Sequence, residues 1–196
     1  MLKEATALLE WAHEKNPGPW REHSKGVARA CGEIAKALGI DHEKAYVYGL
    51  LHDIGRFEGP RGMHHVIAGY ELLMEKGWEG AARICITHSF PDGEYDHFFG
   101  KKDVTPEEEA KIKRLIAEKP FDDYDRLAQL GDALSWGEGV CLMEKRMVDV
   151  VLRHGVAPGM REKWQAWFDI KADFERRIGR SVYDLFPEAA QNTFGL

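Results

Sequence analysis

Through most of the chain, apolar positions recur at three- and four-residue intervals rather than alternating, which is the helical period. The eight prolines, from Pro17 to Pro187, fall between these periodic runs and not inside them, as expected where proline punctuates helices. The pattern predicts helices over about residues 2–15, 20–38, 42–54, 65–76, 79–89, 106–118, 122–137, 140–154 and 159–178. Their ends carry the matching chemistry. Gly39, Gly77, Gly155 and Gly179 follow periodic runs, where a left-handed residue closes a helix. Asp41 stands where a side chain caps the third helix. Thr105-Pro106-Glu107-Glu108 reads as a cap, a proline in the first turn and a capping-box glutamate. No segment reads as a strand, no repeat is visible, and residues 90–105 form the one long connection, a length usually associated with function or mobility. The fold class is all-α: one compact helical bundle spanning residues 1–196, with its core at about 20–136 and the helices of 140–178 packed on it.

Composition narrows the class. The chain has 196 residues, 44% hydrophobic, 31% charged and 11% aromatic, enough to build a core and too apolar for a disordered chain. No apolar run reaches the roughly 18 residues of a membrane span, and the acids near the start do not suit a targeting peptide. A net charge of −6 argues against broad nucleic-acid binding. Cys31, Cys85 and Cys141 are distant from one another and odd in number, which fits a cytoplasmic protein rather than a disulfide scaffold.

The informative residues are polar ones on faces expected to be buried. His23 shares a stripe with Val27, Ala30, Cys31 and Ile34. His52-Asp53 ends the apolar run of the third helix. His65 shares a face with Gly69, Leu72 and Leu73. His88 continues Ala81, Ile84 and Cys85, and Asp132 interrupts LAQLGDAL. Taken singly, each is more often a hydrogen-bonded core residue, and Asp132 could cap a break at Gly131. Together they occupy separate helices of one small bundle. A buried carboxylate needs a cation. With no arginine or lysine on these stripes, converging imidazoles and carboxylates make a divalent-metal site the natural remedy.

These residues resemble the HD-domain superfamily of metal-dependent phosphohydrolases. The likeness runs from His23 in REHSKGVARACGEIAKALGI, through GLLHDIGRF with its His52-Asp53 doublet, to Asp132 in LGDALS. It covers about residues 20–136 and implies a single small HD domain. His65-x-x-x-Gly69 and His88 in ICITHS further resemble the members with two metals. The resemblance implies that His23, His52, Asp53 and Asp132 bind one ion, that Asp53 bridges, and that His65 and His88 bind a second. His64 is the adjacent alternative to His65. The GYP element and paired histidines of the cyclic-di-GMP branch are missing, since Ser89 follows His88. The arrangement is closer to small stand-alone members, one branch of which cleaves dinucleoside tetraphosphates.

Imidazole ligands suit iron, manganese, cobalt, nickel or zinc better than magnesium, and iron or manganese is expected here. Two such ions about 3.5–4 Å apart activate a water and clamp a phosphoryl group. Asp53 and Arg56 are the expected catalytic residues, and Arg56, Arg61 and His64 the expected substrate-binding ones. Lys101 and Lys102 belong to the long loop, a candidate lid. The spacing of Trp164, Trp167, Phe168 and Phe174 fits core or dimer packing. The expected partner is a small phosphorylated metabolite or nucleotide, with no membrane and a homodimer open. The expected activity is cleavage of a phosphoester or phosphoanhydride. Dinucleotide hydrolysis or phosphodiester cleavage, a metal-dependent sensor or scaffold, and a di-iron oxygenase remain alternatives.

Overall fold

The computed structural model describes residues 1–137 and 139–195. The helices are α1 (Leu2–Lys15), α2 (Trp20–Leu38), α3 (His42–Leu51), α4 (His64–Glu75), α5 (Glu79–Thr87), α6 (Pro106–Ala117), α7 (Asp123–Leu134), α8 (Met143–His154), α9 (Met160–Ile178) and α10 (Ala189–Phe194). Their boundaries follow local chemistry. Asp41 accepts a hydrogen bond from the Lys44 amide at 3.0 Å, which caps α3. Capping boxes start α6 at Thr105 and α7 at Asp122, satisfying amides that have no partner within the helix. α2 closes at Gly39 with φ of +72°, the left-handed conformation that glycine adopts without a Cβ penalty. Among the described residues, no helix is long and apolar enough to cross a membrane.

The all-α expectation holds, with local corrections. Ser135–Trp136 and Gly139–Val140 pair as antiparallel strands, β1 and β2. A ladder of two residues per strand is too short for alternation to register in sequence. It ends α7 at Leu134, whereas the helical pattern predicts residue 137. α3 likewise stops at Leu51, before the predicted end at 54, and the chain then turns through a 3-10 helix over Ile54–Glu58. Further 3-10 turns lie over Tyr95–His97 in the long connection and over Val182–Leu185, the latter beyond the last helix the pattern predicts.

α2 sits at the centre of the bundle. Val27 and Ile34 pack with Leu127 and Leu134 of α7, Met147 of α8, and Trp167 and Phe174 of α9. Trp20 and Ala28 instead join α1, α3, α4 and α5 in a second apolar group. A third group holds α4 to α6 and includes Phe90, Tyr95 and Phe98 of the long connection. That connection is therefore packed, and it is also tied. Asp103 accepts bonds from the Gly62 and His64 amides at 2.9 and 3.0 Å, and the Met63 amide donates to Lys101 O at 2.8 Å. Its apolar residues pack as a wall of the bundle.

The closest backbone approach is between the 3-10 turn and α4. A Cβ on Gly55 would stand 1.9 Å from the His65 carbonyl oxygen and 2.4 Å from the Gly69 nitrogen; one on Gly69 would stand 3.1 Å from the Gly55 nitrogen. These two glycines let α4 lie directly on the turn that follows Asp53. Substituting Gly55→Ala is expected to cost roughly 1–3 kcal/mol through overpacking against rigid backbone. A lowered midpoint of urea unfolding checks this; an unchanged midpoint means that the contact is slack.

Candidate metal centre

Five elements each bring a ligand-type side chain to one point. α2 carries His23, the end of α3 carries His52 and Asp53, α4 carries His65, the end of α5 carries His88, and α7 carries Asp132. His23 Nε2 lies 2.9 Å from Asp132 Oδ1. Donor atoms of His23, His52 and Asp132 all fall within 4.8 Å of one another, as do those of His52, Asp53 and His88. His52 thus belongs to both groups. The Asp53 oxygens divide between sides. Oδ1 lies 3.1 Å from His65 Nε2 and 3.7 Å from His88 Nε2, while Oδ2 lies 3.7 Å from His52 Nε2 and 2.5 Å from Arg56 Nε. The Asp53 carboxylate thus faces imidazoles on both of its sides.

The ring orientations are set from behind. His52 Nδ1 lies 2.8 Å from Gly49 O and His88 Nδ1 lies 3.1 Å from Ile84 O, with the same bond from His65 Nδ1 to Gly62 O. Each imidazole donates Nδ1–H to a carbonyl three or four residues earlier, which leaves Nε2 as the lone-pair atom facing the centre. The Nε2 atoms of His52 and His65 and the Asp53 Oδ1 are buried and form no aligned hydrogen bond. Buried polar atoms are rarely left so, and three facing one point fit a divalent ion. Burial lowers the His23 pKa and brings His88 down to about 3, so both rings are neutral at pH 7. Burial acts to raise Asp53 and Asp132, yet Arg56 and neighbouring imidazoles hold Asp53 ionised and His23 and Arg146 hold Asp132 ionised. Neutral imidazole and ionised carboxylate are the protonation states that metals bind.

α7 also fixes α5. Two turns before Asp132, the fully buried Asp125 takes a fork of bonds from Arg83 at 2.9–3.1 Å and one from Thr87 Oγ1 at 2.6 Å. One turn before Asp132, Gln129 Nε2 donates to the Thr87 carbonyl at 2.9 Å. Both grips fall on the last turn of α5, next to His88.

The centre opens into a cavity of about 600 Å³ whose walls include Arg56, Arg146, Arg153, His154 and Lys163 beside Trp20, Phe98, Phe99, Trp136 and Trp167. A neighbouring groove of about 530 Å³ shares Arg56, His65, Phe98, Phe99, Arg153 and His154 and adds Arg61 and Lys101. Sequence reasoning places no arginine or lysine on the stripes that carry the acids, and the structure brings cations to them from elsewhere in the chain. Arg146 Nη2 lies 3.7 Å from Asp132 Oδ1, and Lys163 is buried in the wall. Both come from C-terminal helices whose polar residues look like ordinary surface charge in sequence. Their spacing on α8, with Arg146, Asp149 and Arg153 on one face, was the available signal.

Of the other expected residues, Arg56 stands at the centre and Arg61 lies in the neighbouring groove. His64 turns away, with Nε2 2.7 Å from Glu58 Oε2 and Nδ1 3.3 Å from Glu108 Oε1. Of the two adjacent histidines it is His65 that meets Asp53, because the Gly55–Gly69 contact fixes the face of α4 that looks inward. Lys102 pairs with Asp96 at 2.7 Å. Trp167 and Phe174 are core and Phe168 is exposed.

A family profile described as the HD domain matches residues 20–137. The chain belongs to the HD-domain family. It is thereby a member of the metal-dependent phosphohydrolase superfamily. Over 73 residues the HD chain is 38% identical to Ribonuclease Y of Mycoplasma capricolum subsp. capricolum, a stretch covering 37% of this chain and 14% of that protein. Over 61 residues it is 41% identical to Ribonuclease Y of Oleidesulfovibrio alaskensis, covering 29% of this chain and 11% of that one. The chain thus spans only a small part of the curated relatives it matches. No solved structure matches it.

Removing the buried Asp125 carboxylate strands Arg83 and frees the end of α5. Asp125→Ala is expected to cost about 3–5 kcal/mol, as for other broken buried pairs, and to weaken retention of the ion nearest His88. Thermal unfolding of the metal-free and metal-loaded variant checks both effects.

Proposed function

We propose that this HD protein is a hydrolase that uses a metal-activated water to cleave a phosphoester or phosphoanhydride of a nucleotide or similar small metabolite. The observation that carries the reading is the juxtaposition of the inward imidazole and carboxylate set with Arg56, Arg146, Arg153 and Lys163 on the walls of one cavity. In a chain of net charge −6, basic side chains gathered in a concave site select an anion.

In this reading His23, His52, Asp53 and Asp132 would hold one ion, and His65 and His88, with Asp53, would hold a second. The nitrogen-rich donor set favours a transition metal over magnesium, with iron or manganese the proposed ions. Bound there, a pair of divalent ions supplies a low-pKa water and charge neutralisation for in-line attack on phosphorus. The chain's residues do the rest. Arg56 Nε is engaged by Asp53, and the rest of its guanidinium is free to meet a phosphoryl oxygen, with Asp53 setting its aim. Arg146 sits on the Asp132 side, where Asp149 also holds it, at 3.3 Å. Trp20, Trp136 and Phe99 provide apolar wall for the organic part of a substrate, and the cavity volume suits a nucleotide-sized ligand.

A second reading is a phosphodiesterase. The shared groove favours it by offering room for a substrate that continues past the centre towards Arg61, and so does the partial likeness to proteins named Ribonuclease Y. Product analysis separates the two: inorganic phosphate from a nucleotide supports the first, and nucleotide release from a dinucleotide or oligonucleotide supports the second.

The test begins with metal quantification on gently purified protein, followed by a screen of phosphorylated metabolites with the loaded ion. About two ions per chain and turnover lost in Asp53→Ala are expected. Arg56→Ala is expected to retain the metals and lose roughly 10²–10³-fold in kcat. Absence of metal together with no activation by any divalent ion rejects the hydrolase.

A further inference from the structure

Lys163 is a buried cation without a counter-ion. It lies on the first turn of α9, 4% exposed, and its ammonium donates to two backbone carbonyls, Ser89 O at 2.7 Å and His97 O at 3.4 Å. Rings of Phe99, Trp167 and Phe98 surround it at 4.7, 5.5 and 5.9 Å from the nitrogen. Among the described residues no carboxylate comes within ion-pairing distance. Two carbonyls leave one of the three ammonium N–H groups unassigned. A full charge held in an apolar setting without an anion is costly, and cation–π contact recovers only part of that cost. Burial brings the amine down to about 8, so it remains mostly charged at neutral pH.

Its position gives that charge a use. Lys163 lines the same cavity as the metal centre, and the carbonyl that fixes it belongs to Ser89, the residue after His88. The Ser89 hydroxyl donates to His88 Nε2 at 2.9 Å, so the segment that holds the ammonium borders the side of the centre that His88 faces. Arg56 approaches from Asp53, on another element.

We propose that Lys163 forms a second oxyanion receptor that holds the non-bridging oxygens of a terminal phosphate, which selects a phosphomonoester dianion over a diester. The inference rests on the hydrolase reading for the identity of the anion as phosphate. A terminal phosphate presents one more charged oxygen than a diester. An unpaired ammonium meeting that oxygen stabilises it, whereas a diester would bring an alkyl or aryl group there. The aromatic rings keep water from the ammonium, which strengthens a charge-assisted bond. The residue is a substrate-binding group and holds no metal.

The test compares wild type with Lys163→Met, which keeps the length and apolar stem, and Lys163→Arg, which restores the charge. Binding of inorganic phosphate is measured by calorimetry on metal-loaded and metal-free protein, with unfolding temperature and metal content recorded alongside. Lys163→Met is expected to weaken phosphate binding roughly 10- to 100-fold, the worth of a charge-assisted bond, with metal content retained and partial recovery in Lys163→Arg. With p-nitrophenyl phosphate and bis-p-nitrophenyl phosphate as substrates, the loss is expected in KM for the monoester and not for the diester. Unchanged phosphate affinity in Lys163→Met, or an equal loss for both esters, overturns the proposal and leaves Lys163 as a latch between α9 and the long connection. A lowered unfolding temperature with unchanged affinity does the same. Because phosphate binding needs no turnover, a protein that hydrolyses nothing refutes the hydrolase reading separately from this one.

Discussion

The structure turns on a set of imidazoles whose outer nitrogens are tied to backbone and whose inner nitrogens, in His52 and His65, have no aligned partner. His52, His65 and His88 each spend Nδ1–H on a carbonyl of their own chain three or four residues earlier. That local bond costs the fold little, since the helix or turn supplies the acceptor in place. It leaves Nε2 lone pairs aimed at Asp53 among buried side chains. Such an interior is unfavourable unless something positive fills it. Arg56 and Arg146 offset part of the carboxylate charge, and a divalent ion would complete the neutralisation. The centre is therefore the fold's least self-sufficient region and the one most dependent on what binds there.

Around it the bundle is arranged to keep that region from relaxing. The Gly55–Gly69 approach brings two backbones together with no side chain between them, so His65 has no room to retreat from Asp53. Asp125 and Gln129 reach from α7 to the last turn of α5, which couples the Asp132 side of the centre to the His88 side. Preorganisation of this kind keeps donor atoms in place before an ion arrives. The same contacts make the centre sensitive to substitutions that never touch it.

Much of this was legible in the sequence because polar residues on apolar helical faces violate a strong rule. His23, His65, His88 and Asp132 each stand out from a 3.6-residue stripe, and the structure brings them together. What sequence could not resolve is of two kinds. His64 and His65 are adjacent, and only the contact between Gly55 and Gly69 decides which one faces inward. Lys163 and Arg146 lie on amphipathic helices where a cation is ordinary; their burial comes from the long connection and from α7, distant in sequence. The strands β1 and β2 are too short to show a period. The long connection read as functional or mobile from its length, and its Phe90, Tyr95 and Phe98, which lack helical spacing, are buried against α4 and α6.

The division of labour between the two ends of the chain bears on specificity. The HD match stops at residue 137, and it includes every candidate metal ligand and Arg56. Arg146, Arg153, His154 and Lys163 lie beyond it, on α8 and α9. In the proposed hydrolase, metal chemistry acts on the phosphoryl group that all candidate substrates share, so it discriminates weakly between them. Discrimination must come from contacts made only by the intended substrate. In the proposed hydrolase, the unpaired ammonium and the outer guanidinium groups stand on helices outside the matched region, apart from the ligand set. A wall built this way can change substrate through a few residues of α8 and α9 without disturbing the packing that fixes His65 and His88.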